Sequence, residues 1–295
     1  MAGAVKILLK ILLIVVLVVA LVIGALWGFV FIKFKVNAFS VLGSINELNK
    51  PVETSAVAPN AMDYATDMAS AQTAANASIH DLITKDSDNN YSINDEALPI
   101  MLADMTLSDK EMCAILTTLM MTRTDKSIKI GDIDLKDYDL RLVQLTFSDL
   151  DATNKTTNFN AVISLNLTTL KDKMTSFPLS ILKDRVPEKI YISSTVVVTK
   201  GTNAWEYSVA SDSLTINNLK QEKVNELLTL ANNFVSLGTI DELNEKIGST
   251  LVNAVIGDSS HNGFSYTLHT PPASATDFNF VQDGDNVKLT IKKPL

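Results

Sequence analysis

From Ile11 to Ile32 the chain runs 22 residues without a charge, ILLIVVLVVALVIGALWGFVFI. A helix of that length is roughly 33 Å long at 1.5 Å per residue, enough to cross a hydrocarbon layer of about 30 Å. Trp27 and Phe31 stand near its far end, where aromatic rings favour the interface. Lys6 and Lys10 precede it, Lys33 and Lys35 follow it, and all four can reach outward to headgroups. A cleaved signal peptide is the competing reading. Its apolar region is normally shorter and is followed by small residues, whereas Lys33-Phe34-Lys35 follows here, with Val36-Asn37-Ala38 as a weak cleavage context. No cysteine stands directly after the run, which speaks against a lipoprotein anchor. The expectation is a tail over 1–10, a transmembrane helix over 11–32, and the remainder outside the cytoplasm. Basic residues are nearly balanced across the span, so the short tail and the acidic body set this orientation.

That body is acidic: the chain has 25 Lys+Arg and 33 Asp+Glu, and residues 1–35 hold four of the bases and none of the acids. Nucleic-acid surfaces need a basic stripe to neutralise phosphates, so none is expected. Cys113 is the single cysteine, which excludes an internal disulfide framework and a Cys-based zinc site. The expected cofactor set is none.

Residues 33–79 read as a juxtamembrane helix and polar linker. Phe39, Val41, Leu42, Ile45 and Leu48 suit a short helix that Pro51 stops. From Thr54 to Ile79, 17 of 26 residues are Ala, Ser, Thr or Asn, a composition for linker or a weakly packed Ala-rich helix. A folded domain is expected over 80–295. Ser108 and Glu111 form a capping box before Met112, Ile115, Leu116 and Leu119, which share a helical face. From Ile128 the period becomes two. The phase slips between Leu142 and Val143, which predicts a bulge, and 159–167 alternates cleanly. Further strands are expected at 189–199, 204–217, 263–270, 276–281 and 286–292, with Asp283-Gly284 turning the last hairpin. Two amphipathic helices are expected at about 220–237 and 241–256. The predicted fold class is α+β, an antiparallel sheet packed with amphipathic helices.

Motifs for catalysis are missing: there is no GxSxG, HExxH, P-loop or GxGxxG, and the histidines are His80, His261 and His269. A Ser-His-Asp set assembled by folding would have to use one of them. Asp86, Asp88 and Asn90 match positions one, three and five of a calcium loop. The sixth is Tyr91 where Gly is needed and the twelfth is Ala97 where Glu is needed, so a polar turn is the favoured reading. Four Asn-x-Ser/Thr triplets begin at Asn76, Asn90, Asn154 and Asn166.

The layout resembles the membrane-anchored, YpmS-like bacterial proteins related to the tubular lipid-binding (TULIP) superfamily. The likeness rests on the N-terminal apolar run, Leu107-Ser108-Asp109-Lys110-Glu111-Met112, Val186-Pro187-Glu188-Lys189-Ile190-Tyr191-Ile192, and Leu214-Thr215-Ile216-Asn217-Asn218-Leu219. It covers roughly residues 80–295. The resemblance implies a highly curved sheet around a long helix, a hydrophobic groove, and lipid binding or transfer at the cell envelope, without a catalytic residue. The candidate groove contacts are Ile163, Leu165, Val196, Val198, Leu228, Phe234, Leu251 and Val255, which a plain core would also place inward. The expected partners are the membrane, through Ile11–Ile32, and a lipid. The alternatives are a solid interaction module of an envelope complex and an envelope hydrolase.

Overall fold

Alternation of apolar and polar residues over 141–216 produces the central element, a four-stranded antiparallel sheet in a computed structural model. The structure describes residues 47–48, 50, 52–94, 98–124, 129–130, 133–134, 139–173, 187–217, 219–231 and 238–295. The expected membrane span at 11–32 lies outside them. Among the described residues no helix is long and apolar enough to cross a membrane.

In chain order the elements are α1 (Thr54–Val57), α2 (Tyr64–Ser78), β1 (Ile83–Lys85), β2 (Tyr91–Ile93), β3 (Met105–Leu107) and α3 (Asp109–Thr124). Next come β4 (Lys129–Ile130), β5 (Ile133–Asp134), β6 (Arg141–Asp151), β7 (Thr156–Asn166), α4 (Thr168–Lys173), β8 (Lys189–Lys200) and β9 (Tyr207–Ile216). The chain closes with α5 (Gln221–Ala231), α6 (Ile240–Val255), α7 (Phe264–Thr267), β10 (Asp277–Asp283) and β11 (Asn286–Lys292). The large sheet is the meander β6-β7-β8-β9, and a second sheet has the order β10-β11-β3. This is an α+β body with antiparallel sheets, as the periodicity predicts.

The inner face of the large sheet carries Leu145, Phe147, Phe159, Ile163, Val196 and Leu214, all buried in one continuous core with α3, α6 and the smaller sheet. The predicted slip between Leu142 and Val143 is a register shift between Leu142 and Gln144. A second shift, at Thr195/Val196 opposite Ser213/Ser211, leaves Asp212 as the extra residue of β9. The Ser108–Glu111 capping box is present, with Glu111 N–H donating to Ser108 Oγ at 3.2 Å and Ser108 N–H to Glu111 Oε2 at 2.7 Å. Thr239 and Glu242 cap α6 in the same reciprocal way.

Two expectations are corrected. Of the two readings of residues 54–79, linker and Ala-rich helix, the structure has the helix, packed into the body, so the folded region starts well before His80. In α2, Ala71 and Ala75 are buried with Met68, because methyl side chains let the helix approach α3 closely. Ser70 Oγ–H donates to Glu111, and Tyr64 and Thr118 share a hydroxyl contact of 2.9 Å. Residues 52–61 form a strap across the outer face of the large sheet. There Ala58 packs with Val162 and Tyr191, and Thr54 Oγ1 lies 2.6 Å from Tyr191 Oη. The strap ends where Asn60 N–H donates to Gln144 Oε1 and Met62 N–H to the Val143 carbonyl. The strand expected at 263–270 is instead the short helix α7 followed by turns. Its backbone bonds locally and back to the end of α6 (Tyr266 N–H to the Ile256 carbonyl), which leaves no extended ladder.

Helix α6 lies directly on β8. A Cβ on Gly248 would fall inside the van der Waals radius of Val196, so only a hydrogen fits there. Substituting Gly248→Ala is expected to lower unfolding free energy by about 1–3 kcal/mol through overpacking, despite alanine's better helix propensity. Urea denaturation of the variant against wild type checks this, and a stabilised variant would contradict the contact.

Candidate functional site

The apolar residues expected to line a groove come from four elements. Ile163 and Leu165 are on β7, Val196 and Val198 on β8, Leu251 and Val255 on α6, and Leu228 on α5. The structure brings these seven into one core cluster, each buried. Phe234 lies outside the described residues. Between α6 and the sheet the packing is direct: Gly248 meets Val196, and Asn244 is buried beside them. Asn244 Oδ1 accepts from Ser194 Oγ–H at 2.6 Å, and its Nδ2–H donates to the Thr195 carbonyl at 2.8 Å and Ser211 Oγ at 3.0 Å. The amide thus occupies the polar groups that the β8–β9 bulge frees, as burial of polar atoms requires.

Helix α5 is held differently. Among its described side chains Val224 and Leu228 are buried, while Gln221, Glu222, Asn225, Glu226 and Thr229 face water. It packs on β9 and α6 at the end of the sheet where Leu48 docks. Leu48 is buried in the same core, and its carbonyl accepts from Asn217 Nδ2–H at 3.1 Å. Asn217 Oδ1 in turn accepts from Tyr191 N–H at 2.7 Å. The amide therefore ties the chain leaving the 1–46 segment to β8. Asn217 sits at φ 51, a left-handed conformation that asparagine tolerates well.

The calcium-loop candidate is the turn of the β1–β2 hairpin. Asp86 Oδ1 accepts from the N–H groups of Asp88 at 2.9 Å and Asn90 at 2.8 Å, and Asp86 Oδ2 accepts from Asn90 Nδ2 at 3.2 Å. These bonds, the Asn90 N–H above all, hold the Asp86 carboxyl below the usual range. Its lone pairs serve the turn. Among the described residues no group of three or more His, Cys, Asp or Glu could hold a metal ion.

The histidines serve local structure. His261 Nδ1 is 3.1 Å from Asp258 Oδ1, and the same oxygen accepts from the His261 and Ser260 N–H groups. His269 Nδ1 is 2.7 Å from the Ala275 carbonyl, and its ring packs against Trp205 and Tyr266. Tyr207 Oη–H donates to Asn253, and burial first, then Asp258, raises its phenol well above the ordinary value. Cys113 is fully buried in α3, and desolvation, reinforced by Asp109 and Asp67, pushes its thiol far upward.

One cavity escaped sequence reasoning. It lies at the opposite end of the sheet from Leu48, where the β6–β7 turn, the β8–β9 turn and β10 meet. Its residues come from 150–157, 200–202 and 277–280, and no local pattern joins such distant stretches.

No family model matches this chain, and no curated protein matches it. Among solved structures it matches the crystal structure of a lipopolysaccharide binding protein. The identity is 9%, over 65% of this chain and 40% of that one, with a TM-score of 0.23. The chain thus spans well under half of that protein's length. A likeness of this size establishes neither a common fold nor a common ligand.

Two outcomes are expected. Asp86→Ala will destabilise the β1–β2 hairpin to the same extent with millimolar calcium as with a chelator, as read by thermal unfolding in both buffers. A calcium-dependent difference would restore the metal reading. Cys113 will resist a thiol-specific disulfide reagent in the native state and react fully in denaturant, since only the thiolate attacks. Fast native labelling would contradict its burial.

Proposed function

We propose that this chain is a single-pass membrane protein, with its N-terminus in the cytoplasm. Its folded body stands outside and binds a lipid or another apolar envelope molecule, without catalysis. In this reading the body is TULIP-like, the large sheet curves around its helices, and the membrane segment is Ile11–Ile32. The observation that carries it is the placement of α5. An amphipathic helix, with Val224 and Leu228 buried and its described polar residues facing water, covers the apolar inner face at the end where the chain from the membrane segment docks. The 14 residues of 33–46 can span at most roughly 50 Å, so this end of the sheet stays close to the bilayer. Displacing α5 would expose its own Val224 and Leu228 and the parts of β9 and α6 on which it packs. Each acyl methylene taken into that layer contributes about 0.8 kcal/mol, so affinity requires no polar motif.

A second reading has its own support. Seven of the eight expected groove residues are core, and α6 meets β8 without intervening space. That packing suits a solid module presenting its surface to an envelope complex. The two readings separate in one experiment on residues 36–295, purified without detergent. Organic extraction and native mass spectrometry are expected to find one lipid per chain. Leu228→Glu is expected to lower occupancy at least tenfold while unfolding remains cooperative. A clean apo mass with no uptake from added liposomes would overturn lipid binding and leave the interaction module. Loss of cooperative folding in Leu228→Glu would assign that residue to the core alone.

A further inference from the structure

Among the described residues the large apolar side chains that stand in water are Ile100, Leu102, Met121 and Leu295, and two of them share the loop between β2 and β3. Ile100 is 55% exposed and Leu102 67%, while Leu98 and Met101 of the same loop are buried in the core. The loop is held in this pose from both sides. Met101 N–H donates to the Ala273 carbonyl at 3.2 Å, Leu102 N–H to the Ser78 carbonyl at 2.8 Å, and Ser78 Oγ–H to the Asp104 carbonyl at 3.1 Å. Pro99 and Ala103 are exposed beside them, and the contact with Ala273 brings up the exposed Pro271 and Pro272. Single apolar residues scattered over a surface are ordinary, whereas a contiguous patch marks a contact.

This tip is at the end of the body away from the N-terminal segment. Asp104 Oδ2 lies 2.8 Å from Lys292 Nζ, Lys292 pairs with Asp277, and Asp277 is 3.2 Å from Lys200 at the end of β8. Leu48 docks through Asn217 on Tyr191, near the start of β8, roughly 31 Å away at about 3.4 Å per residue. Size and chemistry decide the partner. Two aliphatic side chains and three prolines fall far short of the roughly 20–30 residues a side of a stable protein interface, so they would not hold a second copy or a soluble protein. The backbone suits lipid. Pro99, Pro271 and Pro272 have no N–H, and the N–H groups of Met101 and Leu102 are bonded within the body, which removes the groups most costly to bring into a bilayer. Asp95 and Glu96 precede the loop in sequence and Lys292 and Lys293 flank it, so no one sign of charge marks the tip and a zwitterionic lipid matches it. Weak insertion becomes effective once the chain is attached, because a tether makes the contact intramolecular. The 14 residues of 33–46 reach at most roughly 50 Å, more than the length of β8. We propose that residues 99–103, with Pro271 and Pro272, dip into the interface of the bilayer that holds the chain, so that the body lies along the membrane. This contact rests on the membrane segment proposed above.

The test uses the full chain in phosphatidylcholine proteoliposomes, with Leu102→Cys carrying an environment-sensitive nitrobenzoxadiazole label. Native Cys113 is buried and out of reach of the labelling reagent. Lipids brominated on the upper acyl chain are expected to quench the label roughly twofold or more, because an inserted apolar face sits about 5–10 Å deep. The same label at Thr153→Cys, on the exposed β6–β7 turn, is expected to stay unquenched. Adding Ile100→Asp to the Leu102-labelled chain is expected to abolish the quenching without a change in unfolding, since both positions are exposed. Absence of quenching at Leu102, equal quenching at Thr153, or quenching only from brominated vesicles added in trans would overturn the contact. So would an emission change that follows protein density and not bromine, which reports a second copy. Alkaline carbonate extraction reads the anchor separately. Chains that wash off overturn the membrane segment and the tip with it, while retained chains with an unquenched label overturn the tip alone. Leu228→Glu should leave the quenching unchanged, so failure here and failure of apolar binding under α5 are distinguishable.

Discussion

The fold depends on the contact of α6 with the bulged strands β8 and β9. A bulge frees backbone groups and bends a strand, and on a buried face those groups need partners. Asn244 supplies them, taking Ser194, Thr195 and Ser211 in one amide. Four residues on, Gly248 removes the side chain that would hold the helix away from Val196. The amide fixes where the helix sits along the strands, and the glycine fixes how near it comes. With α6 so placed, Leu251 and Val255 close the inner face, and α7 follows from the chain folding back at Gly257, whose φ is 78.

The outer face of the same sheet is organised by hydrogen bonds between neighbouring strands. Gln144 Nε2–H donates to Asn160 Oδ1, and Asn160 Nδ2–H reaches Ser193 Oγ and Thr195 Oγ1. This polar ladder lies beside the small apolar patch of Val143, Val162 and Tyr191, which residues 52–61 cover. The sheet is thus buried on one face, less completely along the first part of β9, and on the other face locally.

Much of this was legible because periodicity reports burial directly. Phe159, Ile163 and Leu165 announce a strand with one buried face, and the slip at Leu142 announces the bulge. The Ser108–Glu111 pair carries its own cap chemistry. The Ala-rich stretch misled for a physical reason. Ala71 and Ala75 bury little area each, so composition reads as weak packing, while close helix approach rewards smallness. Residues 263–270 misled because Phe264, Tyr266 and Leu268 alternate as a strand would, yet Gly257 and Gly263 bring the chain too near α6 for a strand to pair. The polar turn at Asp86 was readable from the missing Gly and Glu. The distal cavity was not, since the stretches 150–157, 200–202 and 277–280 that line it meet only in the fold.

The strap of residues 52–61, with Leu48 anchored ahead of it, has a mechanical consequence. It enters beside Asn217 at the end of β9, touches Tyr191 on β8 and Val162 on β7, and leaves at Val143 on β6. Tension applied through the N-terminal segment therefore arrives first at a side-chain amide and then runs crosswise over the sheet. The Thr54–Tyr191 and Asn60–Gln144 bonds lie in series along that path. They follow Leu48, whose side chain is itself in the core, and precede α2. The strap is in this sense a mechanical link in series between whatever holds the first residues and the body that follows.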